Sequence, residues 1–504
     1  MAAVPTIRIR AVNDAPVSAA GDYVLYWMIA ARRTVSSFAL DRAIELAREL
    51  DRPLVVLEAL RIDHRWANDR LHAFVLQGMA DNDSHFAESP ITYYPFVELE
   101  PKQGSGLLEA LAASACAVVT DEFPAFFLPR MVASIGERIG VRLEAIDGNG
   151  LLPLRENDRL FTRAVDFRRH LQRVLPEHLG VAPTRSPLSR ARDLRRLAAL
   201  PDRVLRRWPR ATPALLDAAD AELRRLPIDH AVPAVTERGG AAAGSRVLRR
   251  FVRDRLPRYG EHHQHPDDGA ASGLSPYLHF GHVGSHQVFS AIAREEEWSV
   301  ERLAPRAAGS KAGWWGTSAS AEAFLDQLVT WRELGLNFCA RRSDFDRYES
   351  LPAWARATLE EHASDPRPHV YGLPELEAAR THDPLWNAIQ SQLLHDGRSE
   401  SYLRMLWGKK ILEWSPSPQA ALDAMIALND RWALDGRDPN SYSGICWCLG
   451  RYDRPWAPKR PIFGAIRFMS SASAQKKLHL KEYLARWSRG AETELSFTPP
   501  GRGA

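Results

Sequence analysis

Two segments that read as buried strands flank a helix near the start of the chain, and this alternation limits the fold more than any other feature. Tyr23-Val24-Leu25-Tyr26-Trp27-Met28 is apolar at successive positions, which suits a strand covered on both faces. LDRAIELAREL, from Leu40 to Leu50, has apolar residues at helical spacing, and Pro53-Leu54-Val55-Val56-Leu57 is a second strand. Strand, helix, strand is a parallel unit, because parallel neighbours need a crossover connection. The alternation continues with a helix around Leu71–Ala80, a strand over Ile91–Val97, a helix over Leu107–Ala113, a strand over Ala117–Thr120 and a last strand near Val141–Ile146. Residues 21–150 are therefore expected to form a doubly wound α/β domain around a parallel sheet. No GxGxxG or Walker loop occurs, so the fold alone specifies no ligand.

The rest of the 504 residues divides by composition, within a length that suits about two to four domains. Residues 1–20 lack strong periodicity and read as a flexible lead-in. Over 151–245, arginine-rich segments such as SRARDLRRLAAL and AELRRLPIDH alternate with prolines, as in a linker of short helices wrapping the surface, and Ala241-Ala242-Ala243-Gly244 reads as a hinge. From 246 to about 490 the pattern is helical throughout, and 491–504 reads as a flexible tail. A net charge of +4, carried mostly by arginine, permits a phosphate-bearing partner without requiring one. Cys116, Cys339, Cys446 and Cys448 match no zinc spacing, so no metal is expected and reduced thiols are the simplest account. No apolar run reaches the length of a membrane span, and VLYWMIAA is short and lies inside the chain, so neither a span nor a signal peptide is expected. A cytoplasmic monomer is the resulting expectation.

Within the helical half, THDPLWNAIQSQLLHDGRSESYLRMLWGKKILEW, from Thr381 to Trp414, stands out. Asp383-Pro384 has the form of an N-cap followed by proline at the first helical position, and Gly397 can end that helix. In the next helix Arg404, Trp407, Ile411 and Trp414 follow at intervals of three, four and three, on one face, with Trp386 just upstream. Spacing alone leaves two readings open: ordinary core packing, or a chain of aromatic rings carrying electrons to a buried redox cofactor.

Five blocks in order bear on that choice. SGLSPYLHFG, from Ser272 to Gly281, resembles the signature of the photolyase/cryptochrome superfamily, and THDPLWNAIQ, YLRMLWGKKILEW, LNDRWALDGRDPNSYSGICW and IFGAIRFM are similar to class II cyclobutane pyrimidine dimer photolyases. The resemblance covers about residues 22–485 and implies an α/β antenna-type domain followed by an all-helical FAD-binding domain. It implies light-driven repair of pyrimidine dimers in DNA by electron transfer from reduced FAD, chemistry that the cofactor supplies and the protein positions. By that resemblance Tyr259, Ser272, Leu274, Ser275 and Arg332 hold FAD, Arg404 and Asp435 form an ion pair over its ring system, and Asn429 sits beside it. Trp407 and Trp386 become the electron-transfer pair, with Trp414 as a branch. Trp331, Trp447 and Met405 pack against the dimer once it is flipped from the duplex. Lys459, Arg460, Arg467, Lys476 and Lys477 contact DNA phosphates. An antenna chromophore, a deazaflavin or a folate, would occupy the N-terminal domain.

The chain departs from the family pattern mainly where substrate would be recognised. Gln327 stands where relatives carry a glutamate that hydrogen-bonds the dimer, and an amide cannot donate an acidic proton. Glu400 and Ser401 replace His and Gly, Leu406 a tyrosine, Ser441 a glycine and His263 an arginine, while Ser37-Phe38 differs from the residues common in the first domain. Retained dimer repair is one consequence of this pattern. The others are a cryptochrome-like photoreceptor without repair and a flavoenzyme acting on a non-DNA substrate.

Overall fold

The computed structural model describes residues 3–488. Six strands, β1 (Ile9–Ala11), β2 (Tyr23–Met28), β3 (Leu54–Leu60), β4 (Thr92–Val97), β5 (Ala115–Glu122) and β6 (Arg142–Asp147), form one sheet in the order β1-β6-β5-β2-β3-β4. All pairings are parallel except that of β1 with β6. The period-two geometry of β2 divides its side chains between two cores. Tyr23, Leu25 and Trp27 face a layer with helices α3 (Leu107–Ala112) and α4 (Leu128–Gly136), and Val24, Tyr26 and Met28 face α1 (Phe38–Glu49). Both faces are covered, which is why the strand is apolar along its whole length.

Strand order reverses between β2 and β5, and the crevice beyond their carboxyl ends is where open α/β sheets bind ligands. Asp121 fixes the backbone there. One of its oxygens accepts the amides of Ile29, Ala30 and Ala31 at 2.8, 2.7 and 2.9 Å, and the other accepts the Tyr26 hydroxyl at 2.8 Å.

Two expectations change. The lead-in is not irregular throughout: Ile9, Arg10 and Ala11 pair with Ile146, Ala145 and Glu144, and buried Arg8 donates to the carbonyls of Gly150 (3.2 Å) and Leu151 (2.7 Å). Three residues are too few to display a period, so the edge strand leaves no pattern in the sequence. The Ala241–Gly244 hinge is instead the first turn of a helix, Ala241–Arg250. Its small residues serve packing, because a Cβ at Gly244 would lie 2.6 Å from Val283 Cγ2 and 2.9 Å from Tyr277 Cδ1. Between these points short helices do follow one another, although α5 (Ala164–Val174) sends Phe167 and Leu171 into the main helical core.

Beyond Gly240, pairing of the β type among the described residues is confined to isolated bridges such as Arg460 with Gly464. Helices Pro384–Asp396, Ser401–Trp414, Pro418–Trp432 and Pro439–Cys448 surround one continuous core. Asp383 caps the first of them by accepting the amides of Leu385 and Trp386, both at 3.1 Å, and Gly397 ends it in the left-handed region at φ 65°. The two halves are tied at buried Glu333, which accepts the amides of Leu151 (2.6 Å) and Leu152 (3.0 Å). All four cysteines are buried and unpaired. No helix among the described residues is long and apolar enough to cross a membrane, and the tail expected over 491–504 lies outside them.

Candidate functional site

The three tryptophans of the Thr381–Trp414 run meet in the core. Trp386 and Trp407 stack with centroids 6.5 Å apart and planes inclined by 3°, and Trp414 stands edge-on to Trp386 at 5.6 Å. None is more than 3% exposed, so water cannot rearrange around a charge placed on them. Both indole N–H groups of the stacked pair are committed. Trp386 Nε1 donates to the Trp407 carbonyl at 3.1 Å, and Trp407 Nε1 donates to Gln390 Oε1 at 2.8 Å. Tyr371, half-buried, stands edge-on to Trp414 at 5.5 Å, and its hydroxyl lies 2.8 Å from His382 Nδ1, which extends the aromatic path toward the surface.

One turn before Trp407, Arg404 makes a two-pronged ion pair with Asp435 at 2.8 and 3.2 Å. Burial opposes ionisation of Asp435, but the Arg404 guanidinium and the Ser275 hydroxyl hold its carboxyl below the usual range. Buried Asn429 donates to Ser441 Oγ at 3.2 Å, and that hydroxyl donates to the Asp435 carbonyl at 2.9 Å. Ser441, a departure from the family pattern, thus links two of the expected cofactor residues. Tyr259 is buried against Phe251 and Phe324, and burial first, then the Glu400 charge, pushes its hydroxyl pKa up. Glu400 keeps some exposure, yet burial raises its pKa against the opposing charges of Arg398, Arg255 and Arg404.

These residues fit a flavin dinucleotide. Ser272, half-buried Gly273 at φ 72°, buried Leu274 and exposed Ser275 form a turn that offers two hydroxyl groups. Arg398 lies against it, since a Cβ on Gly273 would be 3.8 Å from Arg398 Nη1. Arg398 Nη2 pairs with Glu237 at 3.3 Å, while its Nε is buried with no hydrogen-bond partner among the described residues, a donor beside hydroxyl groups that suits an anionic oxygen. Sequence reading missed Arg398, and Gln390 and Tyr371 as well. Each lies between recognised blocks or at a position whose partner is known only in three dimensions.

Arg332 does not join this group by any direct bond. Its Nη1 donates to the Asn149 carbonyl (2.8 Å) and to Ser285 Oγ (3.3 Å), at the seam between the halves, and the adjoining Glu333 explains why this turn faces the sheet domain. The guanidinium beside the serine turn is that of Arg398.

Gln327 and Trp331 lie on the same outward side of a π-helical turn, Asp326–Trp331, whose inward side carries Asp326, paired with Arg168 at 2.7 Å. Gln327 is exposed and Trp331 half-buried. Met405 and Trp447 are likewise half-buried at the edge of the core. Trp447 is framed by cations: Lys409 Nζ is 4.8 Å and the Arg467 guanidinium 5.9 Å from its ring centre. Exposed Lys476 and Lys477 lie beyond, with Lys477 over the Tyr402 ring at 4.4 Å, and Arg460 stacks on Phe468 at 4.8 Å. Lys459 is the exception among the basic residues, since it is paired with Glu361 at 2.6 Å. The charged neighbours of Glu400 are the arginines named above and Asp396, and among the described residues it has no hydrogen bond to Gln327.

A separate cavity of about 390 Å³ opens at the reversal point of the sheet, lined by Trp27, Ala30, His64, Phe123, Phe126 and Phe127 among others, with Arg32 and Arg138 at its wall. Its lining is mostly apolar and aromatic, and the two arginines are paired, Arg32 with Glu58 at 2.9 Å and Arg138 with Glu109 at 3.0 Å.

No protein-family model matches the chain. Among curated proteins it is similar to the deoxyribodipyrimidine photo-lyase of Methanothermobacter thermautotrophicus, 34% identical over 484 residues that cover 95% of this chain and 97% of that protein. The proteins of the same name from Oryza sativa subsp. japonica and Arabidopsis thaliana are 32% and 31% identical, each over 92% of this chain and over 87% and 88% of their own lengths. Among solved structures, a bacterial class III photolyase from Agrobacterium tumefaciens matches with a TM-score of 0.66 over 93% of this chain and 86% of its own, at 13% identity, a likeness of fold.

Proposed function

The chain belongs to the deoxyribodipyrimidine photo-lyase family, and from that premise we propose that it repairs cyclobutane pyrimidine dimers in DNA by a light-driven electron transfer of the class II type. The observation that carries this reading is the buried Trp386–Trp407 stack one helical turn from the Arg404–Asp435 pair. FAD is the proposed cofactor; bound there in its reduced form, it supplies an electron that opens the cyclobutane ring and receives it back. Arg398, Ser272 and Ser275 would hold its phosphate oxygens, and the Arg404–Asp435 pair would fix a charge against its ring system. Trp407 and Trp386 would return an electron to the site when the cofactor is oxidised, through rings whose N–H groups already have acceptors.

Trp331, Met405 and Trp447 would pack on a dimer turned out of the duplex, an extrusion that costs a few kcal/mol and less for a lesion than for a sound pair. Arg460, Arg467, Lys476 and Lys477 would meet the flanking phosphates. The aromatic cavity of the sheet domain supports an antenna chromophore, a deazaflavin or a folate. Gln327 favours the second reading, a photoreceptor without repair, because no acidic proton is available at that position.

The test reduces the protein with light, adds an oligonucleotide carrying one thymine dimer, illuminates it and follows recovery of thymine absorbance. Recovery is expected. Absence of recovery with fully reduced FAD present overturns the repair reading and leaves the photoreceptor.

A further inference from the structure

The loop after Tyr259 holds three histidines within four residues, His262, His263 and His265, followed by Asp267 and Asp268. His263 is turned away, stacked on Tyr259 at 4.5 Å. His265 meets a residue more than two hundred positions later, and His262 meets Asp268. His479 returns to the loop with its ring 4.2 Å from that of His265. Asp268 sits between them: its two carboxylate oxygens lie 2.9 Å from His479 Nδ1 and 2.6 Å from His262 Nδ1. These imidazoles hold the Asp268 carboxyl below the usual range, so it is ionised. One nitrogen from His265, one from His479 and one oxygen from Asp268 lie within 4.8 Å of one another.

We propose that His265, Asp268 and His479 bind a divalent transition-metal ion, with zinc as the reference, and that His262 or water completes the coordination. Two imidazoles and a carboxylate are the donor set such ions prefer, and a tetrahedral site with bonds of about 2.0–2.1 Å needs its donors about 3.3 Å apart. The required contraction is within reach of side-chain rotation, because His265 and Asp268 are only half-buried and His479 is exposed. A hydrogen-bonded clasp already marks the position: Asp267 accepts the amides of Glu482 (3.0 Å) and Tyr483 (2.8 Å), and Arg258 donates to the Asp268 carbonyl at 2.8 Å. The ion would lock the segment that carries Lys476 and Lys477 onto the loop that follows Tyr259. No residue of the electron-transfer path takes part.

The experiment uses the full chain without an affinity tag, stripped by a chelator and titrated with Zn²⁺ alone by calorimetry at neutral pH. One equivalent is expected to bind in the micromolar range or tighter, and His265→Gln and His479→Gln should each weaken it by at least about tenfold. Both positions are accessible at the surface, so the variants keep the fold, which circular dichroism verifies. Zn²⁺ should also slow proteolysis after residue 478 in the parent protein and not in the variants. Absence of binding tighter than millimolar overturns the proposal, and so does binding that neither substitution changes, which would place the ion on histidines elsewhere.

Discussion

Gln390→Leu separates the proposed wiring role of Trp407 from its packing role. Gln390 is fully buried, accepts from Trp407 Nε1 at 2.8 Å and donates to the Glu377 carbonyl at 3.3 Å. Leucine has a similar volume, so the cavity term is small, but it leaves a strong buried donor and a weaker acceptor unpaired. At about 1–3 kcal/mol for the buried unmet donor and about 1 for the weaker acceptor, the two together cost about 2–4 kcal/mol. For a helical half of this size that lowers Tm by about 4–16 °C, at about 2–4 °C per kcal/mol. The same bond strengthens when the indole is oxidised, because its N–H then belongs to a cation. Losing a charge-assisted bond worth about 1.5–3 kcal/mol in place of a neutral one worth about 1 makes the hole on Trp407 less favourable by about 2- to 30-fold, or about 20–90 mV for one electron. Photoreduction of the bound flavin under blue light should therefore slow, measured by absorbance beside the parent protein. A variant that loses stability as expected and photoreduces within twofold of the parent would refute Trp407 as a carrier. A variant unchanged in both would show that the Gln390 bond contributes nothing.

Gln327→Glu restores the carboxyl group at an exposed position of the π-helical turn, so stability should hold while the dimer-splitting quantum yield rises above the parent's; an unchanged yield would show that the carboxyl group has no part in splitting. Lys409 is buried, donates to the Cys448 carbonyl at 2.7 Å and has its pKa pushed down to about 8 by burial. Between pH 8 and about 10.4 the unfolded chain then binds more protons than the folded one, so stability rises with pH across that window by up to about 3 kcal/mol. Urea midpoints at pH 7.5 and 9.5 should show the rise in the parent and not in Lys409→Met. Arg467→Ala removes an unpaired cation stacked on Trp447 and Trp456 and should reduce the salt slope of DNA binding by about one charge, whereas Lys459→Ala, already neutralised by Glu361, should change it less.

Period and order made much of this legible in the sequence. The two-sided apolar run of β2 announced a covered parallel sheet, and Asp383-Pro384 and Gly397 announced the bounds of a helix, because these signals are local. Contacts across the fold were not legible. Arg398 lies beside the serine turn through a separation of more than a hundred residues, and Arg332 turns to the seam because its neighbour Glu333 caps two amides of the other half. Arg8 and the edge strand β1 were invisible for a third reason: a three-residue strand has no period, and a buried arginine looks like a surface one until its carbonyl partners are seen.

The departures from the family pattern fall at both covered and open positions: Ser37, Phe38, Leu406 and Ser441 are buried, while three others lie at the rim. Gln327 and Ser401 are exposed and Glu400 only partly covered, so their replacement costs the fold little. The wire is different. Trp386, Trp407, Trp414 and Gln390 are at most 3% exposed and share their N–H groups and carbonyls, so any one change leaves an unmet donor or a void. Ser441, a buried departure, is held by two hydrogen bonds, from Asn429 and to the Asp435 carbonyl, so it adds a tie inside the proposed cofactor cluster. A single helix, Ser401–Trp414, carries both kinds of position. Arg404 and Trp407 turn inward to the ion pair and the aromatic stack, and Met405 lies at the rim. Substrate preference can therefore drift at the rim of this helix while Arg404 and Trp407 are held by their partners, and the buried departure on it, Leu406, exchanges one apolar-bodied side chain for another. The decisive measurements are accordingly those that read the dimer and the flavin separately.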